Sequence, residues 1–420
     1  MKLVVEPLRG LVDDPPRVLV SDLPHLDSPS LRLTVTGVDA AGHAWQSVGD
    51  YPVTAEGTVR LDDPDRPWWA MQFADRRGAP VAFSAPDTSW RCIVTAEYGG
   101  ELARQTVQRD YAATGEPTHL AGEGWRLRVY RPPRMAAAPA VLVVPGSTGV
   151  TAMAPVAALL ASHGYAAAVL GYMQDPGLPL NFERIPVEVV AGGLAALAAL
   201  PGVDPDRIAV WAVSVGTGLA LSGMVGLDSP AVQGIVAISP TSVVWQAQGG
   251  GGRPPRVSSL TRNGVDVPWL PMHGERLFGQ MMMNALRGRL SRARHSTALV
   301  LLPAYTPALQ EETAEDAAIP VEEIAAPMLL VAGESDAMWP SATMATSLVE
   351  RRQRHGRTED RLLLLPGAGH FIRPPATPTT VDRSEDLVFG GTAEAIAHGQ
   401  RQAWDATLGF LADRIGPPNR

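Results

Sequence analysis

The sequence holds one lysine, Lys2, and one cysteine, Cys92. A single cysteine excludes an internal disulfide framework and any multi-cysteine metal site. Without a lysine beyond residue 2, the P-loop lysine, the Schiff-base lysine of pyridoxal chemistry and a serine–lysine dyad all drop out. The nine histidines are scattered, with no His-x-x-x-His pair, so neither a metal nor a cofactor is expected. Long hydrophobic runs are also missing. The apolar stretch after Lys2 stops at Glu6, too short for a signal-peptide core. Runs such as 136–144 fall far below the roughly 18–20 residues of a membrane span. A net charge of −8 leaves no basic footprint for nucleic acid or an anionic membrane surface. A cytoplasmic protein with neither nucleic acid nor membrane as a partner is the expectation.

What remains is a 420-residue chain, 45% hydrophobic, too long for one ordinary core and suited to two domains. Residues 1–118 carry short alternating segments, such as Leu31, Leu33 and Val35 against Arg32 and Thr34, between turn signals about ten residues apart. That spacing predicts an antiparallel β-sandwich. From 119 to 420 the pattern becomes strands alternating with helices. Residues 125–130 alternate like an edge strand, and apolar strands follow at 140–144, 165–170, 208–213, 234–238, 328–332 and 361–365. Helices are expected at 152–163, 184–200 and 392–413, giving an α/β, doubly wound, mostly parallel sheet. Residues 246–300, with QGGGGRPPR and Met281–Met282–Met283, interrupt this order. They read as a lid or pocket wall, or equally as an adaptable packing segment.

The chemistry concentrates at WAVSVGTGLAL, residues 211–221. Ser214 lies between a strand and a helix, flanked two residues away by Ala212 and Gly216. The pattern approximates G-x-S-x-G, the sharp turn that exposes a nucleophilic serine, with alanine in place of the first glycine. A serine in a small-residue turn is also common without catalysis. A serine hydroxyl needs an oriented base, and in this architecture acid and base follow at the ends of later strands. Gly333-Glu334-Ser335-Asp336 ends one such strand and Pro366-Gly367-Ala368-Gly369-His370 ends the next. His370 is the expected base and Asp336 the acid, with Glu334 its rival. His398 falls on a helical face with Ala397, Trp404, Leu408 and Leu411 and reads as structural. One oxyanion donor is expected from the backbone N–H of Val215 and the other from that of Ser147, with Thr148 the alternate, in Gly146-Ser147-Thr148-Gly149.

With these residues in place, the chain resembles the acyl-CoA thioesterase / bile acid-CoA:amino acid N-acyltransferase family of the α/β-hydrolases. The resemblance runs over nearly the whole length. Its carriers are EPLRGLVDDPPRVLVSDLP near the start, SVVWQ (242–246), SSLTRNGVDVPWLP (258–271), IPVEEIAAPMLLVAGESDAMWPS (319–341), LPGAGHFIRPP (365–375) and FGGTAEAIAHGQRQAW (389–404). It implies an Ig-like N-terminal domain on an α/β-hydrolase domain, and nucleophile, acid and base on Ser214, Asp336 and His370. Three departures surround the acyl site and bear on the substrate. Ala212 stands where the family has glycine. Val215-Gly216-Thr217 stands where it has a lysine and two glycines, and the oxyanion loop is shortened.

The leading expectation is hydrolysis of an acyl thioester or ester, coenzyme A-linked or simpler, through an acyl-enzyme on Ser214. In the family, serine goes mostly with thioesterases and cysteine with the amino-acid transferases. Acyl transfer to an amine or alcohol is the alternative, and a non-catalytic scaffold with the same fold a third reading. Acyl group, leaving group and oligomeric state stay open at this level.

Overall fold

The computed structural model describes residues 1–25, 30–74, 81–112, 115–133, 136–227, 232–249, 254–290, 297–381, 383–384 and 386–416. Residues 250–253 and 291–296 of the 246–300 segment therefore lie outside the described residues.

Between residues 2 and 110 the chain forms two sheets. One has six strands in the order Arg9–Leu11, Glu101–Asp110, Ser89–Tyr98, Ser30–Val38, Ala44–Pro52 and Gln72–Phe73. All its pairs are antiparallel except the first, which is parallel. The other joins Lys2–Glu6, Arg17–Ser21 and Val59–Arg60, all antiparallel. Period-two patterning drives both: Leu31, Leu33 and Val35 are buried while Arg32 between them faces out. Leu3, Val5, Val18 and Val20 of the smaller sheet share one core with Leu31, Val35 and Val94 of the larger.

The second architecture is a mixed eight-stranded sheet built from β1 (Thr118–Gly122), β2 (Trp125–Tyr130), β3 (Ala138–Val144), β4 (Ala166–Gly171), β5 (Val203–Val213), β6 (Val232–Ile238), β7 (Met328–Gly333) and β8 (Arg361–Leu365). Spatial order is β1-β2-β4-β3-β5-β6-β7-β8. β1/β2 and β2/β4 are antiparallel and the remaining pairs parallel. This is an α/β-hydrolase sheet. Its helices are α1 (Gly149–Ser162), α2 (Glu188–Ala198), α3 (Val215–Met224), α4 (Phe278–Leu290), α5 (Ser341–Arg354) and α6 (Ala393–Ile415). The alternation of residues 125–130 is misleading about position. β2 is the second strand, because the chain turns back at Glu123 and Gly124 and lays β1 outside it.

Strand β3 is buried along its whole length because both faces are covered. Val141 and Val143 pack in one cluster with Val156 and Leu160 of α1 and with the N-terminal sheets, whereas Leu142 and Val144 pack with α2 and α3 on the opposite face. The parallel strands all deliver their carboxyl ends to one edge, where the loops after β3, β5, β7 and β8 converge.

Asp13 ties the N-terminal region to this scaffold. Its Oδ2 lies 2.6 Å from Nε2 of His163, just past α1, and accepts from Nε1 of Trp404 on α6 at 2.7 Å. Arg401 of α6 donates to the Asp13 carbonyl at 2.6 Å and to Asp65 at 2.9–3.0 Å. Burial pushes the Asp13 carboxyl up, but the hydrogen bond and charge of His163, with the Trp404 indole, outweigh it and hold it below the ordinary aspartate value. A carboxylate with a depressed pKa stabilises the fold above its unfolded value, near 4, and loses that contribution as pH falls through the folded value. Asp13→Ala should therefore cost about 1–3 kcal/mol in denaturant unfolding at neutral pH. The gap from the parent protein should narrow as pH drops below about 4.

Candidate active site

Ser214 occupies the turn between β5 and α3, with φ 56° and ψ −131°. This left-handed backbone is costly for a side-chain-bearing residue and holds the serine out from the sheet edge. The strain sits at Ser214. Ala212 is ordinary strand, fully buried and in register with Val144 and Ala237, so the missing glycine is absorbed within the sheet. Gly216 has no such latitude. A Cβ there would run into the carbonyl oxygens of Pro145 and Val144, so the first turn of α3 can press against the loop after β3 only without a side chain.

The structure brings Ser214, His370 and Asp336 together. Nε2 of His370 lies 2.9 Å from Oγ of Ser214, and Nδ1 lies 2.7 Å from Oδ2 of Asp336. A carboxylate only accepts, so Nδ1–H donates to Asp336 and Nε2 is left to accept from the serine. Glu334, by contrast, is exposed. His398 is also solvent-facing on α6, 3.7 Å from Asp63, and edge-on to Trp69.

Several supports were not legible in the sequence. Ser341, fully buried at the start of α5, donates to Oδ2 of Asp336 at 2.6 Å. The backbone amides of Met338 and Trp339 donate to Oδ1 at 2.8 and 3.2 Å. The carboxylate is therefore fixed from three sides besides the histidine. Ser239, at the end of β6, donates to the His370 carbonyl at 2.8 Å, and the His370 amide donates to Phe389 at 2.9 Å. Gly390, φ 82°, lies so close to the Ser335 carbonyl that only glycine fits between the loops that carry Asp336 and His370. The sequence signals were a Trp-Pro-Ser helix start and a Phe-Gly-Gly turn, neither of which points to a particular partner elsewhere in the chain.

The loop after β3 is held by Tyr172, whose hydroxyl donates to the Pro145 carbonyl at 2.5 Å, and by Gln174, which donates to the Ser147 carbonyl at 3.2 Å. Ser147 and Val215 both line the cavity over Ser214, whereas Thr148 lines a different one. Val215 opens α3, where backbone N–H groups lack partners within the helix. The cavity measures about 290 Å³. Met173, Leu180, Phe182, Leu301 and Trp339 give it apolar walls, and no carboxylate or guanidinium lines it among the described residues. From the 246–300 segment, Gln248 and Gly249 reach its wall, and the Gln248 amide donates to the Tyr305 hydroxyl at 3.1 Å. Met281, Met282 and Met283 on α4 face solvent instead. No group of three or more metal-ligating side chains occurs among the described residues, and no described helix is long and apolar enough to cross a membrane.

A family model described as "BAAT / Acyl-CoA thioester hydrolase C terminal" matches residues 185–417. The chain is similar to the "Acyl-coenzyme A amino acid N-acyltransferase 2" of Mus musculus, 23% identical over 447 residues, covering 99% of this chain and 98% of that one. It is also similar to the "Acyl-coenzyme A thioesterase 6" of Mus musculus, 25% identical, covering 91% of this chain and 81% of that one. Among solved structures, "The structure of DcsB complex with its substrate analogue" covers 72% of this chain and all of its own, at 18% identity and a TM-score of 0.44.

Replacing Gly216 by alanine should force the first turn of α3 off the Pro145 carbonyl. The expected result is a loss of about 1–3 kcal/mol or more in thermal or denaturant unfolding, as for other overpacked sites.

Proposed function

The chain belongs to the BAAT and acyl-CoA thioester hydrolase family, and from that premise we propose that it hydrolyses an acyl thioester through a covalent intermediate on Ser214. As a member it is an acyl-thioester hydrolase or a related acyltransferase. The observation that carries the finer reading is the hydrogen-bonded line from Ser214 through His370 to Asp336.

In this mechanism the Ser214 hydroxyl attacks the thioester carbonyl carbon while Nε2 of His370 takes its proton. Asp336 keeps the imidazole in the required tautomer and balances the imidazolium charge. The carbonyl oxygen becomes an oxyanion facing the amides of Val215 and Ser147, helped by the positive end of α3. Collapse breaks the carbon–sulfur bond, and His370 returns its proton to the departing thiolate. Water then enters, gives a proton to His370, and releases the carboxylic acid with regeneration of Ser214. Each oxyanion donor is worth about 10²–10³ in rate and the general base about 10²–10⁴.

The cavity mixes apolar walls with neutral polar groups such as Gln174, Asn181 and Gln248, which supports an uncharged acyl group. Coenzyme A remains the leaving-group class suggested by the family, with its phosphates outside this cavity. Acyl transfer to an amine or alcohol is the second reading, favoured by end-to-end similarity to the mouse N-acyltransferase. Serine at 214 favours water. We assign residues 1–118 to a β-sandwich domain and 119–420 to the catalytic domain, with Gln248 and Gly249 as the part of the 246–300 insertion that serves the pocket.

The test is labelling by a fluorophosphonate together with thiol release from a panel of acyl thioesters. The parent protein should label at Ser214 and release thiol. Ser214→Ala should lose labelling and more than about 10³-fold of turnover. Asp336→Asn should keep the fold but lose turnover on a similar scale, because the amide no longer enforces the tautomer. Full turnover by Ser214→Ala would overturn the reading, and a product analysis showing amide or ester formed in preference to acid would select the transferase.

A further inference from the structure

A second cavity, about 690 Å³, lies behind the catalytic one, between residues 82–87 of the N-terminal region, the first half of α1 and the chain just after His370. Its walls are mostly apolar, with Phe83, Met153, Val156, Trp211 and Ile372 prominent. Two charged side chains line it. Asp87 is already partnered, its carboxylate accepting from Arg128 at 3.1 Å. Arg373 is not: it donates once, from Nη1 to the Phe83 carbonyl at 3.1 Å, and stacks 4.7 Å from the Phe371 ring centre. No carboxylate lies within ion-pair distance of it among the described residues. Arg373 is half-buried beside the cavity, and that burial pushes its pKa down. Tyr111 lines the same wall with a hydroxyl that has no hydrogen-bond partner.

We infer that this cavity is a binding site for a small amphipathic carboxylate, its apolar body against Phe83, Met153 and Trp211 and its head on Arg373. One planar guanidinium matches one carboxylate in bidentate geometry, and an extended apolar wall suits a hydrocarbon body. A phosphate dianion would leave more charge uncompensated than a single arginine supplies. The contrast with the catalytic cavity, which has no lining cation, separates the two pockets chemically. They are also adjacent. Ser147 lines one and Thr148 the other, and His370 and Ile372 divide in the same way. An occupant would therefore lie against the back of the loops that carry Ser147 and His370.

The site stands independently of Ser214 chemistry and is tested by binding. Decanoate, decan-1-ol and coenzyme A are titrated calorimetrically into the full-length protein, Arg373→Met and Ala152→Phe, the last of which fills the α1 side of the cavity. Melting temperatures check that each variant folds. Decanoate should bind the parent protein, bind Arg373→Met about tenfold or more weakly, and be lost from Ala152→Phe. Decan-1-ol should not distinguish the parent from Arg373→Met. Unchanged decanoate binding in either folded variant overturns the site, as does arginine-dependent binding of coenzyme A without decanoate. If Arg373→Met fails to fold, Ala152→Phe decides alone.

Discussion

Backbone must meet backbone at the carboxyl edge of the sheet, and the candidate site depends on that constraint. The turn after β5 presses on the Pro145 carbonyl, and the Phe389-Gly390-Gly391 segment wedges between the loops after β7 and β8. A Cβ at Gly216 or Gly390 would push these loops apart. The separation matters because the Ser214–His370 and His370–Asp336 contacts are 2.9 and 2.7 Å and tolerate little displacement. Burial then fixes the side chains: Asp336 and His370 are almost wholly enclosed and reach their partners in one arrangement.

Polar satisfaction follows the same economy. The Asp336 carboxylate receives four donors, from His370, Ser341 and the amides of Met338 and Trp339. This holds a buried charge in place without a cation. With lysine almost absent, arginine takes the buried cationic positions. Arg352 is satisfied by Asp360 and by the carbonyls of Val321, Ile324 and Ala326. Arg109 donates to the carbonyls of Val12 and Ala376 and lies over the Trp68 ring, whereas Arg373 keeps one carbonyl and faces an open cavity.

Much of the fold could be read from the sequence. Continuous apolar runs such as 140–144 and 328–332 announce strands covered on both faces, and each is followed by a short loop that opens with glycine or proline and carries polar side chains. Ser214, Asp336 and His370 stood out for that reason. Hairpin order did not, because the alternation of residues 125–130 is the same for an edge strand and its neighbour. The supports at Ser341, Ser239 and Gly390 were hidden because their roles are contacts between loops. Ala212 looked like a defect in the turn, yet the strain is carried by the backbone of Ser214 and the close approach by Gly216. The second cavity forms between two regions of chain and has no local signature at all.

In the proposed reaction Ser214 carries the acyl group during turnover. The direct measurement is peptide mapping by mass spectrometry of enzyme quenched in acid early in a reaction with an acyl thioester. The peptide spanning WAVSVGTGLAL should gain the mass of the acyl group minus one hydrogen, and the addition should decay as thioester is exhausted. Steady thiol release with that peptide unmodified and acyl mass on another residue would contradict the account.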